Sequence, residues 1–201
     1  KLLAETNMPS DLKYLAVAES GLRPTIRSRK GAIGTWQFIN KTARLNGLRV
    51  DRKMDERRSP QRSTVAAIRY LKGLKDMFGT WTLALAAYNC GEELLEKEIK
   101  RQKVRDYYRL NLPLETERFM FRVAAIKIIM ENAKSYGYSL PQQRVYRPIE
   151  CDAVPVKIEL PLHMTDVARA LGSDLKVLKE LNPHILDYYL PTGHYTIKVP
   201  S

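Results

Sequence analysis

Apolar residues recur at helical spacing through the first two thirds of the chain. Leu12, Leu15, Ala16, Ala18 and Leu22 share one face of a helix that Pro9-Ser10-Asp11 opens, with Ser10 or Asp11 as its N-cap. Residues 35–45 repeat the pattern and stop at Asn46-Gly47. Ser59-Pro60 starts a further helix through Val65, Ala66, Ile68, Leu71 and Leu74 to Phe78-Gly79. Residues 81–89 are apolar on nearly every side, which predicts a buried helix. Residues 92–103 are amphipathic with a charged outer face. Residues 115–136 are expected to form the longest helix, its inner face built from Phe119, Val123, Ile126, Met130 and Ala133. Two stretches lack any period: the loop 23–34 and the charged connection 50–58.

The period changes after Gly137. Pro141, Pro148, Pro155 and Pro161 punctuate short segments, and residues 154–160 read as an edge strand. Two short helices follow at 164–171 and 175–181, stopped by Gly172-Ser173 and Asn182-Pro183, and residues 195–199 alternate as a strand. The expected fold is mainly α. An all-α domain occupies 1–136, a linker 137–152, and a small β-α-α-β domain 153–201. About 50 residues make a marginal core, so this second domain is expected to borrow stability from the first.

Composition narrows the class. Charged residues are 28% and apolar ones 44%, a globular balance and not a disordered one. No run approaches the ~18 apolar residues of a membrane span, and no signal peptide is visible. The chain starts within a few residues of a helix, so Lys1 is expected to be a boundary within a longer protein. The net charge of +12 favours a polyanionic partner: nucleic acid, an anionic membrane surface or an acidic cell-wall polymer. The basic residues are scattered, with no basic arm, so charge does not choose among them. Cys90 and Cys151 have no metal-ligand spacing and are expected as small buried thiols, a disulfide being open to them in an oxidising compartment. His163, His184 and His194 also lack ligand spacing and are expected at the surface.

Glu19 is the first candidate for chemistry. It arrives in the last turn of an apolar helix, before Ser20-Gly21, where burial would keep its carboxyl protonated and able to donate. Asp51, Asp55 and Glu56 lie in the charged connection and are expected to be solvated. Three more stretches accompany Glu19: Gly31-Ala-Ile-Gly-Thr-Trp-Gln-Phe38, Ala86-Ala-Tyr-Asn-Cys-Gly91 and Leu112-Pro-Leu-Glu-Thr116. Singly, each has a structural explanation as a turn, a helix end or a core residue.

In this order and spacing, they resemble the lysozyme-like catalytic domain of lytic murein transglycosylases, most closely the membrane-bound type D group. Glu19-Ser20, Ser28, Gly31 to Gly34, Trp36 to Phe38, Ala87 to Gly91 and Leu112 to Thr116 carry the match, and Asp55-Glu-Arg57, Tyr70-Leu71 and residues 81–85 extend it. The resemblance implies that Glu19 is the sole acid/base and that Ser28 sits beside it. Gln37, Phe38, Ile39, Tyr88 and Asn89 would bind the glycan, with Ser20, Gly34 and Glu115 in support. An ordinary glycosidase needs two carboxylates. One acid suffices if the substrate supplies the rest: Glu19 protonates the glycosidic oxygen after N-acetylmuramic acid, the N-acetyl oxygen stabilises C1, and Glu19 then deprotonates the C6 hydroxyl to close a 1,6-anhydro ring. No metal or cofactor is implied.

Two positions depart from the family. Phe119-Met120 stands where relatives usually carry a tyrosine, often followed by valine, and Cys90 stands where a small residue is usual. Residues 153–200 resemble a LysM-like module, on Asp166 to Gly172, Leu175 to Pro183 and Leu190 to Gly193. Such modules bind N-acetylglucosamine-containing glycans. The resemblance implies peptidoglycan strands as partner, no nucleic acid, a monomer, and a bacterial, periplasmic setting that leaves room for outer-membrane anchoring through an upstream segment. The rival readings are a goose-type lysozyme-like hydrolase, a non-catalytic peptidoglycan-binding protein and, behind both, a nucleic-acid binder.

Overall fold

A computed structural model describes residues 1–139, 141 and 149–201. Its helices are α1 (Leu2–Glu5), α2 (Leu12–Ser20), α3 (Asn40–Leu45), α4 (Pro60–Phe78), α5 (Trp81–Cys90), α6 (Glu92–Gln102), α7 (Leu114–Glu131), α8 (Met164–Ala170) and α9 (Leu175–Leu181). Its strands are β1 (Cys151–Ile158), β2 (Leu162–His163), β3 (Tyr189–Leu190) and β4 (Gly193–Pro200). Two compact units form, one from Lys1–Arg23 and Thr64–Ser139, the other from Pro24–Ser63 and Leu140–Ser201.

The first unit is all helical among its described residues. Helix α5 is its centre, as its uniformly apolar sequence requires: Leu83, Ala84, Ala86 and Ala87 pack with Leu74 and Phe78 of α4, Leu95 of α6, and Tyr107, Leu110 and Leu112 beyond it. Thr80 caps α5 by accepting from the Leu83 amide at 3.3 Å. Tyr107 donates its hydroxyl to the carbonyls of Thr116 and Glu117, at 2.9 and 2.7 Å, and so pins the start of α7. Helix α2 lies on α7, where the Tyr14 hydroxyl reaches Glu131 at 3.0 Å and Asp11 pairs with Lys127. Asp11 does occupy the N-cap position, but its carboxylate makes that ion pair and no cap bond.

In the second unit, β1 and β4 pair antiparallel from Cys151↔Pro200 to Ile158↔Gly193, and β2 pairs β3 at Leu162↔Leu190. Helices α8 and α9 supply Met164, Val167, Ala168 and Leu178 to a core closed by Ile158, Ile185, Leu190, Ile197 and Val199. Asn182 is fully buried and clips α9 to β4: it accepts from the Lys198 amide at 2.9 Å and donates to the Lys198 carbonyl at 2.8 Å.

Met54 joins that same core from far upstream. Met54 bridges Ile185, the Asp55 amide donates to the His184 carbonyl at 2.8 Å, and the Leu186 amide donates to the Lys53 carbonyl at 2.8 Å. Sequence periodicity divides the chain at 137–152 and leaves 24–63 with the helical domain; in the structure, 24–63 groups with the C-terminal segment through these contacts. Residues 140 and 142–148 of the expected linker lie outside the described residues, and the strand begins at Cys151, two residues inside its end.

Four local expectations are corrected. Helix α2 ends at Ser20, because Gly21 and Leu22 both take left-handed φ, at 59° and 63°. Leu22 therefore leaves the apolar stripe and is exposed. Residues 35–39 are not helical: Gly34 and Gln37 have φ of 88° and 48°, and Ile33 bridges both Arg27 and Phe38 in a tight hairpin. Asp55 and Glu56 are buried and ion-paired, not solvated. His184 is buried at 6% exposure, with its Nδ1 unpartnered among the described residues.

Candidate functional site

Glu19 projects from the last turn of α2, immediately before the left-handed Gly21-Leu22 turn. Ser20 is buried and donates its hydroxyl back to the Ala16 carbonyl at 3.1 Å, so it fixes the helix end that carries Glu19. Burial pushes the Glu19 carboxyl up to about 7; the Arg122 cation opposes that rise and the Glu115 carboxylate adds to it. The ordering of causes matters. Desolvation, not a neighbouring charge, keeps this acid protonated near neutrality.

Tyr88 and Asn89 come from the end of α5. The Tyr88 hydroxyl is pushed well above the usual tyrosine range by burial, then by the charges of Glu19 and Tyr70, which places Glu19 and Tyr88 within electrostatic reach. Asn89 accepts from the Thr116 hydroxyl at 2.9 Å, a bond that ties α5 to the first turn of α7. Cys90 follows, half-buried and unpaired with Cys151. Burial raises its thiol, partly offset by a hydrogen bond with Thr116, so it is a poor nucleophile. On α7, Phe119 is fully buried, and the Arg122 guanidinium stands 5.1 Å from its ring centre. One carboxyl with a proton to give, within electrostatic reach of a phenol, is equipped for general acid/base work on a polar bond.

The remaining candidates lie in the second unit. Ser28 accepts from the Ala32 amide at 3.0 Å, and its own amide donates to the Ala32 carbonyl at 2.9 Å. Gln37 donates to the Gly34 carbonyl at 2.8 Å, Phe38 is buried, and Ile39 is exposed. Arg57 underlies this hairpin. It grips Asp55 through two bonds of 2.8 and 2.9 Å and donates to the carbonyls of Phe38 and Gly31 at 3.2 and 3.4 Å. A Cβ on Gly34 would lie 1.9 Å from the Arg57 carbonyl oxygen, so only glycine fits there. Among the described residues no cluster of His, Cys, Asp or Glu could hold a metal.

The family described as Transglycosylase SLT domain matches residues 1–111, more than half of the chain and the whole stretch from Glu19 to Asn89. This chain belongs to that family. As an SLT-domain protein it has the mainly α, lysozyme-like fold expected from its sequence. It is 37% identical to the membrane-bound lytic murein transglycosylase D of Escherichia coli K12 and of Escherichia coli O6:H1, over 97% of this chain and 44% of each relative. The chain thus spans less than half the length of these relatives. The peptidoglycan transglycosylase gp16 of phage T7 is 41% identical over 83 residues, 40% of this chain and 6% of that one. The 70 kDa soluble lytic transglycosylase of Escherichia coli aligns in structure over 61% of this chain and 21% of that chain, at 20% identity and a TM-score of 0.45.

Sequence reasoning missed Arg122 and undervalued Tyr70, Glu92 and Asp55. Arg122 carries no local signature in a helix that also bears Arg118 and Lys127. Asp55 was visible as one acid in a charged run and as part of the matching Asp55-Glu-Arg57 stretch, neither of which announced its burial.

Proposed function

We propose that this SLT-domain protein is a peptidoglycan lytic transglycosylase, cleaving the β-1,4 bond between N-acetylmuramic acid and N-acetylglucosamine with a 1,6-anhydromuramyl product. The observation that carries the reading is the burial that holds Glu19 near 7, beside Tyr88, in a chain of this family. Protonated Glu19 donates to the bridging oxygen as the C1–O bond breaks. The sugar's N-acetyl oxygen meets the developing cation at C1. Glu19, now a carboxylate, removes the proton from the C6 hydroxyl, whose oxygen closes on C1. The acid ends protonated, ready for another turnover. Tyr88 and Asn89 hold the N-acetyl group, and Arg122 steadies the carboxylate formed midway.

Ser28, Gln37 and Ile39 are assigned to sugar binding, and Phe38 supports that hairpin from its buried position. The pair of strands and helices at the C-terminus is read as a LysM-like, glycan-binding module. The substrate sets the location, the bacterial cell envelope; no described helix is long and apolar enough to cross a membrane.

Glu115 favours a second reading, since its carboxylate acts on Glu19 and a goose-type hydrolase would use a second carboxylate to activate water. Mass spectrometry of digested murein sacculi separates the two. Anhydromuramyl ends are expected from the wild type and none from Glu19→Gln, which is nearly isosteric. Hydrated reducing ends would mark a hydrolase, and no products from the wild type would mark a binding protein.

A further inference from the structure

Behind Tyr88, on α4 and α6, stands a pair of side chains that the proposed reaction does not use. Tyr70 donates its hydroxyl to the Glu92 carboxylate at 2.6 Å, and its ring packs 5.5 Å from the Tyr88 ring at a tilt of 44°. Glu92 reaches this position because α5 and α6 are joined by a single residue. Gly91 takes φ of 91°, a conformation that L side chains rarely adopt, and its amide still closes α5 on the Ala87 carbonyl at 2.7 Å. The chain reverses at once. Glu92 becomes the first residue of α6, where the positive helix end favours a carboxylate, and lies four residues after Tyr88.

We infer that Tyr70 and Glu92 form a positioning pair for the proposed reaction, holding the Tyr88 ring against Glu19 so that water stays out from beside the acid. Three consecutive helices meet here: Tyr70 of α4 bonds Glu92 of α6 and packs its ring on Tyr88 of α5. The Tyr88 ring completes the wall whose low polarity keeps the proton on Glu19. Burial raises the Tyr70 hydroxyl as well, and the bond to Glu92 raises it further, so Tyr70 stays a neutral donor across the working pH range. A neutral phenol donating to a carboxylate is a short, strong, charge-assisted bond that fixes both side chains.

The inference rests on Glu19 being the working acid, and its test reads the acid directly. The groups that face Glu19 are Arg122 and Glu115 on α7 and Tyr88 on α5, with Tyr70 acting through Tyr88. Tyr70→Phe keeps the ring and removes the bond to Glu92. The ¹³C NMR titration of the Glu19 carboxyl in the intact protein is expected to move down by about half a pH unit or more in Tyr70→Phe and in Glu92→Ala, as water enters beside it. Glu92→Gln retains an acceptor and is expected to leave that titration where the wild type has it. Turnover on sacculi is expected to fall about 5–20-fold in Tyr70→Phe and Glu92→Ala with KM unchanged, and its alkaline limb to move down by the same amount. A Glu19 titration unmoved by Tyr70→Phe, with only the melting temperature lowered, would overturn the pair's role and leave the transglycosylase reading intact. A wild type that releases no products would overturn the transglycosylase reading, while the titration would still decide whether the pair shields Glu19.

Discussion

Glu19 is a carboxyl whose value to the protein comes from being dry. Its pKa rises from 4.5 in an ordinary setting to about 7, so the folded state prefers the protonated form. That preference stabilises the fold fully below about 4.5 and is lost as pH rises through about 7, a difference on the order of 3 kcal/mol. Glu19→Gln removes the penalty of a buried charge, so its melting temperature is expected to exceed the wild type's at pH 8.5 and to match it at pH 4, as thermal denaturation will show. Activity has the same dependence on the same group. General acid catalysis needs the proton, so kcat/KM of the wild type is expected to fall about tenfold per pH unit above about 7. Gly34 is a second residue whose identity is forced. Gly34→Ala sets a Cβ 1.9 Å from the Arg57 carbonyl oxygen at φ 88°, and is expected to cost about 2–4 kcal/mol in a urea titration.

Among the elements, the helices were legible and the hairpin was not. Helices α4, α5, α6 and α9 match their predicted bounds within two residues because each has a stop or start signal: Pro60, Gly79, Gly91 and Asn182-Pro183. Residues 35–39 carry the same apolar density as a helix, yet two left-handed backbones fold them into a hairpin that needs an outside support. The Asp55–Arg57 pair is that support, and nothing local to 31–39 announces it. Arg57→Met leaves buried Asp55 with only the longer 3.8 Å contact to Arg58 and is expected to destabilise the second unit by about 2–4 kcal/mol. Hydrogen exchange is expected to quicken first at Ile33, Gly34 and Gln37, whose amides donate within this hairpin at 3.1 Å each. Slow exchange there in Arg57→Met would assign the hairpin's order to its own turns instead.

For the molecule as a whole, the two units answer pH in opposite directions. His184 in the second unit is held neutral by burial, with Arg62 and Lys198 adding to the effect, and its pKa falls from 6.5 to about 4. It contributes stability that is present above about 6.5 and lost as pH falls through about 4, again on the order of 3 kcal/mol. Glu19 weakens the first unit as pH rises. Each unit carries one tryptophan, Trp81 in the first and Trp36 in the second. In single-tryptophan variants, Trp36 fluorescence is expected to report unfolding first at pH 4.5, and Trp81 fluorescence first at pH 8.5. Coincident transitions at both extremes would mean that the units unfold as one.

The sequence by itself determined the helical framework and the family and singled out Glu19 as the candidate acid, because periodicity, capping and motif spacing are properties of neighbours along the chain. It also singled out Tyr88 and Asn89 as candidates, since a short motif carries them together. Only the tertiary structure decided how strongly Glu19 holds its proton, where Asp55 and His184 went, and that Met54 belongs to a core assembled more than a hundred residues later. Desolvation and burial are sums over distant atoms. No local pattern of residues encodes them.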